Sequence, residues 1–324
     1  MPALVPSPVP SPMTAIVDPF ARNSIGHRVA CICACILLSG AAGFAGQPAT
    51  VSAYPDPAEM VRKAVKNELK AANDDTARFL FRSTKTTPKG STTRLYVETR
   101  DATAGLVIAY NGKPLTPGQQ RDEEARVQRF VDNPDELNKK REQERESAEH
   151  TMRIVRALPD AFLFEYAGEE PASEGIGRSG ASMVKLKFRP NPNYQPPTRV
   201  EEVLSGMEGY VLVDPVRYRL ASIDGSLFKE VGFGWGILGH LDRGSRFVVR
   251  QQEADDNFWE VSEMTLSFTG KILLFKNLSI ISTEIFSGFK RVSAELTFAQ
   301  AVELLKKEGL QAGNSRDSKL AHPQ

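Results

Sequence analysis

Two-residue alternation of apolar and polar side chains is the feature that most constrains this chain. It runs from Thr76 to residue 289, interrupted by one helical insertion, and is clearest where Val184, Leu186 and Phe188 alternate with three basic residues. That period is typical of β-strands with one face covered and the other in water. Turn signals between the runs, such as Asn111-Gly112, indicate hairpins, so we expect antiparallel pairing.

Helical spacing flanks this region. Asp56 is placed as an N-cap with Pro57 at the first helical position, and a one-sided apolar stripe follows to near Asn73. Residues 297–308 show the same period and predict a C-terminal helix. An amphipathic helix buries its stripe against another element, so we expect the first helix to lie on the sheet.

An insertion at 117–157 interrupts the strands. Thr116 and Asn133 begin its two helical segments as N-caps. Residues 135–149 contain ten charged side chains and a single large apolar one, Leu137. Mixed charge at helical spacing predicts a solvated helix supported by i,i+4 ion pairs. The alternative is a protruding arm on which a protein partner docks.

The predicted fold class is α+β. We expect a single strongly curved antiparallel sheet of about 11 strands, a half-open β-barrel, with helices at its concave face. Two predicted details are a turn at Asp224-Gly225 and a β-bulge near Ser262, where the alternation slips by one residue. The predicted domains are a signal peptide at 1–45, a linker at 46–55, the half-barrel at 56–310 and a disordered tail at 311–324.

The N-terminal segment indicates export. Seventeen residues from 29 to 45 are apolar or small and follow Arg28, and they end on Ala45, so they are typical of a signal peptide cleaved after Ala45. A membrane anchor is the alternative. All three cysteines lie in this segment, and lipidation of Cys35 is not favoured because too few apolar residues precede it. We therefore expect a periplasmic or outer-membrane-peripheral protein whose mature chain lacks thiols.

Composition and motifs argue against several kinds of chemistry. Lys and Arg total 41 against 40 Asp and Glu, which is not the balance of a nucleic-acid-binding protein. The residues at 234–239 fit G-x-G-x-x-G, but a turn and a strand follow where a dinucleotide site needs a helix, so no cofactor is predicted. Four histidines without metal-site spacing predict no metal centre. His240, Asp242 and Ser245 could form a hydrolase set, although a surface turn is the preferred interpretation, and the protein is predicted not to be an enzyme.

The apolar face of the predicted sheet is the remaining candidate site. A curved sheet this wide exceeds what the helices can fill, which predicts an apolar cavity for acyl chains; a filled core is the alternative. The proline-rich segment at 188–197 is either a rim loop over that cavity or a simple crossover. The predicted lining consists of Phe79, Phe81, Leu95, Val97, Phe162, Phe164, Tyr166, Leu186, Phe188, Val211, Val213, Tyr218, Leu220 and Trp259.

One further pattern links the chain to a known group. The segment from Met207 to Asp214-Pro215, followed by a second strand from Tyr218 to Asp224, resembles the strand, Asp turn, strand unit of the periplasmic lipoprotein-sorting carriers and receptors (Lol-type) and related lipid-binding envelope proteins. The likeness extends over roughly residues 56–290, and the insertion departs from it. The resemblance implies a non-enzymatic half-barrel that binds a lipid or an acylated partner. The alternative is an assembly protein whose partner docks on 117–157.

Overall fold

The computed structural model describes residues 54–73, 76–233, 239–255, 258–272 and 276–320. The predicted signal peptide, most of the linker and five residues of the glycine-rich motif, 234–238, lie outside this part of the chain. Among the described residues, no helix has the length and apolar character needed to cross a bilayer.

One antiparallel sheet of 13 strands dominates the structure. Eleven of them follow one another in the order β4-β3-β2-β1-β13-β12-β11-β8-β7-β6-β5, while β9 and β10 pair beside β12. The end strands β4 and β5 do not meet, so the sheet stays open, and the predicted fold class is confirmed. The strands are β1 (Arg78–Thr87), β2 (Gly90–Val97), β3 (Ala104–Tyr110), β4 (Lys113–Pro114), β5 (Phe162–Pro171), β6 (Ser182–Pro190), β7 (Met207–Asp214), β8 (Arg219–Leu227), β9 (Val231–Phe233), β10 (Gly239–Leu241), β11 (Arg246–Asp255), β12 (Phe258–Ile272) and β13 (Lys276–Val292).

The helices begin at the predicted caps. The Asp56 carboxylate accepts the N–H groups of the first turn of α1, and Thr116 forms a reciprocal capping box with Gln119 at the start of α2. Asn133 caps the next helix through its side chain. The helices are α1 (Pro57–Ala72), α2 (Pro117–Asp132), α3 (Pro134–Ala161), a short α4 (Arg199–Glu202) continued by a 3₁₀ turn (Val203–Gly206), and α5 (Phe298–Leu320). The last of these extends well beyond the predicted end at residue 308.

Of two details predicted from the sequence, a bulge and a turn, one is confirmed and the other is wrong. The bulge at Ser262 is confirmed, because Arg250 pairs with Glu263 while Gln251 pairs with Val261, leaving Ser262 as the extra residue. The predicted turn at Asp224-Gly225 is wrong, since both residues lie inside β8. Gly225 serves close packing there: a Cβ atom at this position would lie 2.3 Å from the Phe247 ring.

Helices cover both faces of the sheet. The face that carries Phe79 and Phe81, called the concave face below, packs against α1 and the C-terminal turns of α3. The other face of β1–β3, called the second face, packs against α2 and α5. The sequence predicted only the first of these two layers. Two apolar cores on opposite sides of β1–β3 are the result.

Candidate ligand-binding face

The concave face brings together most of the predicted lining. Eight of the predicted residues, spread over five strands, share one buried cluster: Phe79, Phe81, Phe162, Leu186, Phe188, Val211, Val213 and Leu220. Aromatic rings are in contact within it; the Phe162 and Phe188 centroids are 4.7 Å apart, a separation at which ring pairs attract one another. Whether these residues bind a ligand stays a prediction.

The helix α1 lies directly on this face. Its buried stripe is Met60, Val61, Ala64 and Val65, which is the one-sided pattern predicted from the sequence. Behind it, Ile154, Val155 and Leu158 of α3 belong to the same core. The buried stripe of α1, with Met60 as its largest side chain, therefore meets the large rings that the strands contribute.

Polar contacts hold α1 at its C-terminal end. The buried Arg219 guanidinium donates two hydrogen bonds of 2.8 Å to the Glu68 carboxylate, which also accepts the backbone N–H of Leu220 at 2.9 Å. The adjacent Asn67 amide donates to the carbonyl oxygens of Arg217 and Tyr218 at 3.1 Å. The sequence analysis did not predict this ion pair. Glu68 lies four residues after Ala64, on the apolar face of the helix, and a glutamate in that position indicates a buried charge that needs a partner.

Three predicted lining residues pack elsewhere, and the prediction that they share the face of Phe81 is wrong. Leu95 and Val97 belong to the core of the second face. The register gives the reason: Phe81 pairs with Tyr96, so the neighbours of Tyr96 in β2 point to the opposite side. Trp259 lies in a third cluster with Met183, under the loop before β6.

The remaining predicted residues lie at the margin of the concave face. Phe164 and Tyr218 are partly buried against the main core, and Tyr218 sits in a turn with a positive φ of 48°. Tyr166 on the edge strand β5 is 36% exposed, and its hydroxyl donates to the carbonyl oxygen of Pro55. Other half-buried apolar side chains also pack against the main core: Leu69, Met152, Tyr194, Phe258, Leu278, Ile280 and Phe289.

The proline-rich segment is tied to the end of α3. The Asn191 side chain donates to the carbonyl oxygen of Asp160 at 2.9 Å, and its backbone N–H donates to the carbonyl oxygen of Ala161 at 2.8 Å. Tyr194, three residues on, packs partly against the main core, and burial raises the pKa of its hydroxyl to about 12. The segment thus contributes one ring to the rim of the concave face.

The charged insertion packs along the body. Leu137 and Phe130 contact the core of the second face, where Phe130 lies 6.2 Å from the Phe298 ring. Arg145 pairs with Glu142 and with Glu149 on the outer side of α3, which confirms the predicted ion pairs along the helix. The charge pattern predicts no packed face on this helix. The structure shows one, because Leu137 packs against the core of the second face. Docking of a partner on 117–157 stays a prediction.

One buried carboxylate stands out within the insertion. Glu144 is 1% exposed and forms an ion pair with Lys140, and its Oε2 accepts the backbone N–H of Thr103 at 3.2 Å. Burial raises the pKa of the Glu144 carboxyl from 4.5 to about 7, against the opposing pull of Lys140 and of the Thr103 hydrogen bond. The predicted fully solvated helix is wrong at this position.

A second group of polar side chains lies at the β9–β10 hairpin. His240 Nε2 is 3.2 Å from Asp242 Oδ1 and 3.8 Å from Glu230 Oε2. Ser245, the third member of the hydrolase hypothesis, donates its hydroxyl to the carbonyl oxygens of Asp242 and Thr269 and accepts the Thr269 N–H at 3.1 Å. Ser245 is thus buried, at 1% exposure, and bonded both to its own turn and to Thr269 of β12, so the predicted surface turn is not exposed at this residue. The sequence did not single out Glu230, which is ten residues away and joins the group only through strand pairing.

Comparisons with known proteins add two structures. No protein-family model and no curated protein sequence matches this chain. Similar solved structures include an outer membrane lipoprotein-sorting protein domain from Vibrio parahaemolyticus, with 13% identity over 76% of this chain and 99% of that chain and a TM-score of 0.27. A DUF1329 family protein from Desulfovibrio piger has 10% identity over 73% and 93%, also with a TM-score of 0.27. The first description names a lipoprotein-sorting protein, as does the group that the sequence resembles.

Proposed function

We propose that this chain is a non-enzymatic protein of the bacterial cell envelope that binds a lipid or an acylated partner between its concave face and α1. The observation that carries the proposal is the apolar, ring-rich concave face of an open sheet, covered by the apolar stripe of one amphipathic helix. An acyl chain is flexible and apolar, so it suits such a surface. The apolar segment that ends at Ala45 supports an envelope location as a signal peptide.

The geometry of α1 suggests where the ligand enters. The Glu68–Arg219 pair and Asn67 tie the C-terminal end of α1 to the β7–β8 hairpin. The middle of α1 is held mainly by the apolar contacts of Val61, Ala64 and Val65. An acyl chain that offers equivalent apolar contacts can replace these without breaking a buried ion pair. The half-buried side chain of Phe164, on the strand β5 that α1 contacts, would then lie at the entrance.

A matched pair of variants tests the proposal. Leu186 and Leu95 are both buried leucines in strands, but the first lies on the concave face and the second on the second face. Truncation to alanine costs about 2–5 kcal/mol of stability at either site. We expect Leu186→Ala to weaken the binding of a fluorescent fatty acid about fourfold for each methylene group that no longer packs against the ligand, and Leu95→Ala to leave it unchanged.

Two measurements decide the outcome. Mass spectrometry of the mature protein, made in the periplasm and extracted gently, should find co-purified lipid, and titration with the fluorescent fatty acid should reach saturation. A protein that carries no lipid and takes up no fatty acid contradicts the proposal. Equal effects of Leu186→Ala and Leu95→Ala on binding would also contradict it, because the loss would then follow stability and not the face.

A further inference from the structure

Hairpin register places three metal-ligating side chains on one side of a short ribbon. β9 and β10 are antiparallel, with Leu241 opposite Val231 and His240 opposite Gly232. Asp242 and Glu230 are the residues that directly follow β10 and precede β9. Because side chains alternate along a strand, His240 and Asp242 point the same way, as does Glu230 across from them. Leu241 and Val231 point the other way and are buried in the main core, at 4% and 5% exposure, which fixes the backbone under the three polar residues.

The separations between the donor atoms suit one metal ion. Zinc in proteins lies about 2.0–2.2 Å from nitrogen and oxygen ligands in a tetrahedral arrangement, so two of its ligand atoms are roughly 3.4 Å apart. The His240 Nε2 to Asp242 Oδ1 distance is 3.2 Å, and the Nε2 to Glu230 Oε2 distance is 3.8 Å. All three donor atoms lie within 4.8 Å of one another. The Glu230 side chain is 63% exposed, so it can rotate to bring its carboxylate closer to the other two donors.

Charge at the same place favours a cation. Glu230 and Asp242 each bring a carboxylate oxygen to within 4 Å of His240 Nε2. Lys271 of β12 pairs with His240 on the strand next to β10, and its side chain is exposed to water. A divalent ion between two carboxylates is attracted by both negative charges. One imidazole with two carboxylates selects a transition metal such as Zn²⁺ over Mg²⁺ or Ca²⁺, which prefer oxygen ligands alone.

We propose that Glu230, His240 and Asp242 form a binding site for a divalent transition-metal ion, with Zn²⁺ as the probe that identifies it. The three protein ligands leave one tetrahedral position to water or to an exogenous ligand. The site lies on a core-anchored hairpin and is independent of the proposed lipid-binding face.

The test uses the mature chain without a histidine tag. After removal of metal by a chelator and desalting, isothermal titration calorimetry with ZnCl₂ should show one ion bound per chain. His240→Ala should weaken that binding by more than the roughly 10–100-fold that loss of an outer-sphere partner costs. Asp242→Asn should weaken it as well. His150→Ala, which removes a histidine from α3, is the matched control and should bind Zn²⁺ as the unmodified protein does.

A second readout separates coordination from nonspecific charge effects. Co²⁺ bound at the site should give the intense visible absorption of tetrahedral coordination, and His240→Ala should abolish it. The three side chains are at least partly exposed, so the variants should keep the far-UV circular dichroism and melting temperature of the metal-free protein. The absence of Zn²⁺ binding by the unmodified chain overturns the proposal, as does unchanged binding in His240→Ala. Neither outcome affects the fatty-acid titration, so the two proposals fail separately.

Discussion

Replacing the buried Glu144 by glutamine should change how stability depends on pH. The pKa of this carboxyl is about 7 in the folded chain, compared with an ordinary 4.5. Because the folded-state pKa is the higher one, folding favours the protonated form. Its contribution to stability is therefore fully present below about pH 4.5 and is lost as the pH rises through 7.

The size of the effect follows from the shift in pKa. One pKa unit corresponds to about 1.4 kcal/mol, so ionisation of Glu144 should lower the free energy of unfolding by about 3 kcal/mol between acid and mildly alkaline pH. Glutamine has the shape of the protonated acid, keeps an oxygen to accept the Thr103 N–H and does not titrate. Relative to the unmodified protein, Glu144→Gln should gain about 3 kcal/mol of stability between roughly pH 4.5 and pH 8.

Urea unfolding followed by circular dichroism measures this difference at each pH. Any pH-independent offset, such as a change in packing around residue 144, does not matter, because only the change with pH is compared. Glu142→Gln on the exposed side of the same helix is the control and should show no such change. A difference between Glu144→Gln and the unmodified protein that stays constant with pH would refute the reasoning. It would mean that Lys140 keeps the carboxylate ionised despite its burial.

Two further substitutions test the packing of the outer helices. Glu68→Gln leaves the buried Arg219 guanidinium without its anionic partner and should lower the free energy of unfolding by about 3–5 kcal/mol. The control Glu59→Gln, in an exposed ion pair of α1, should lower it by no more than about 1 kcal/mol. Equal losses in urea unfolding would contradict a role for the buried pair. Leu305→Ala in α5 should lower the free energy of unfolding by about 2–5 kcal/mol, because the side chain is fully buried. Leu310→Ala, at 53% exposure, should change the melting temperature little. A small effect of both would mean that α5 does not pack as described.

Local signals in the sequence predicted much of the fold. The caps at Asp56, Thr116 and Asn133 depend only on neighbouring residues, and the parity slip at Ser262 is a property of one strand. Both kinds of signal act within a few residues, so no knowledge of the rest of the chain was needed. The main elements and the open antiparallel sheet follow from them.

Face assignment failed where both sides of a strand are buried. Leu95 and Val97 are as apolar as Phe81, so hydrophobicity could not show that they point to the second face; that required the pairing of Phe81 with Tyr96. The burial of Glu144 and the meeting of Glu230 with His240 depend likewise on contacts between distant segments. Alternation in the sequence indicates that a side chain is buried. Which residues bury it depends on how distant strands and helices pack together.

The interior position of β1, between β2 and β13, has a consequence for how the chain acquires its structure. β1 pairs on one side with the adjacent β2, but on the other side Thr84 pairs with Ile285 of β13, about two hundred residues later. During vectorial synthesis, one edge of the amino-terminal strands keeps unpaired backbone hydrogen-bonding groups until almost the whole polypeptide is available. Such non-local closure is slow, and the waiting edge is a template for aggregation, so productive maturation should depend on protection of the first hundred residues until the last long strand arrives.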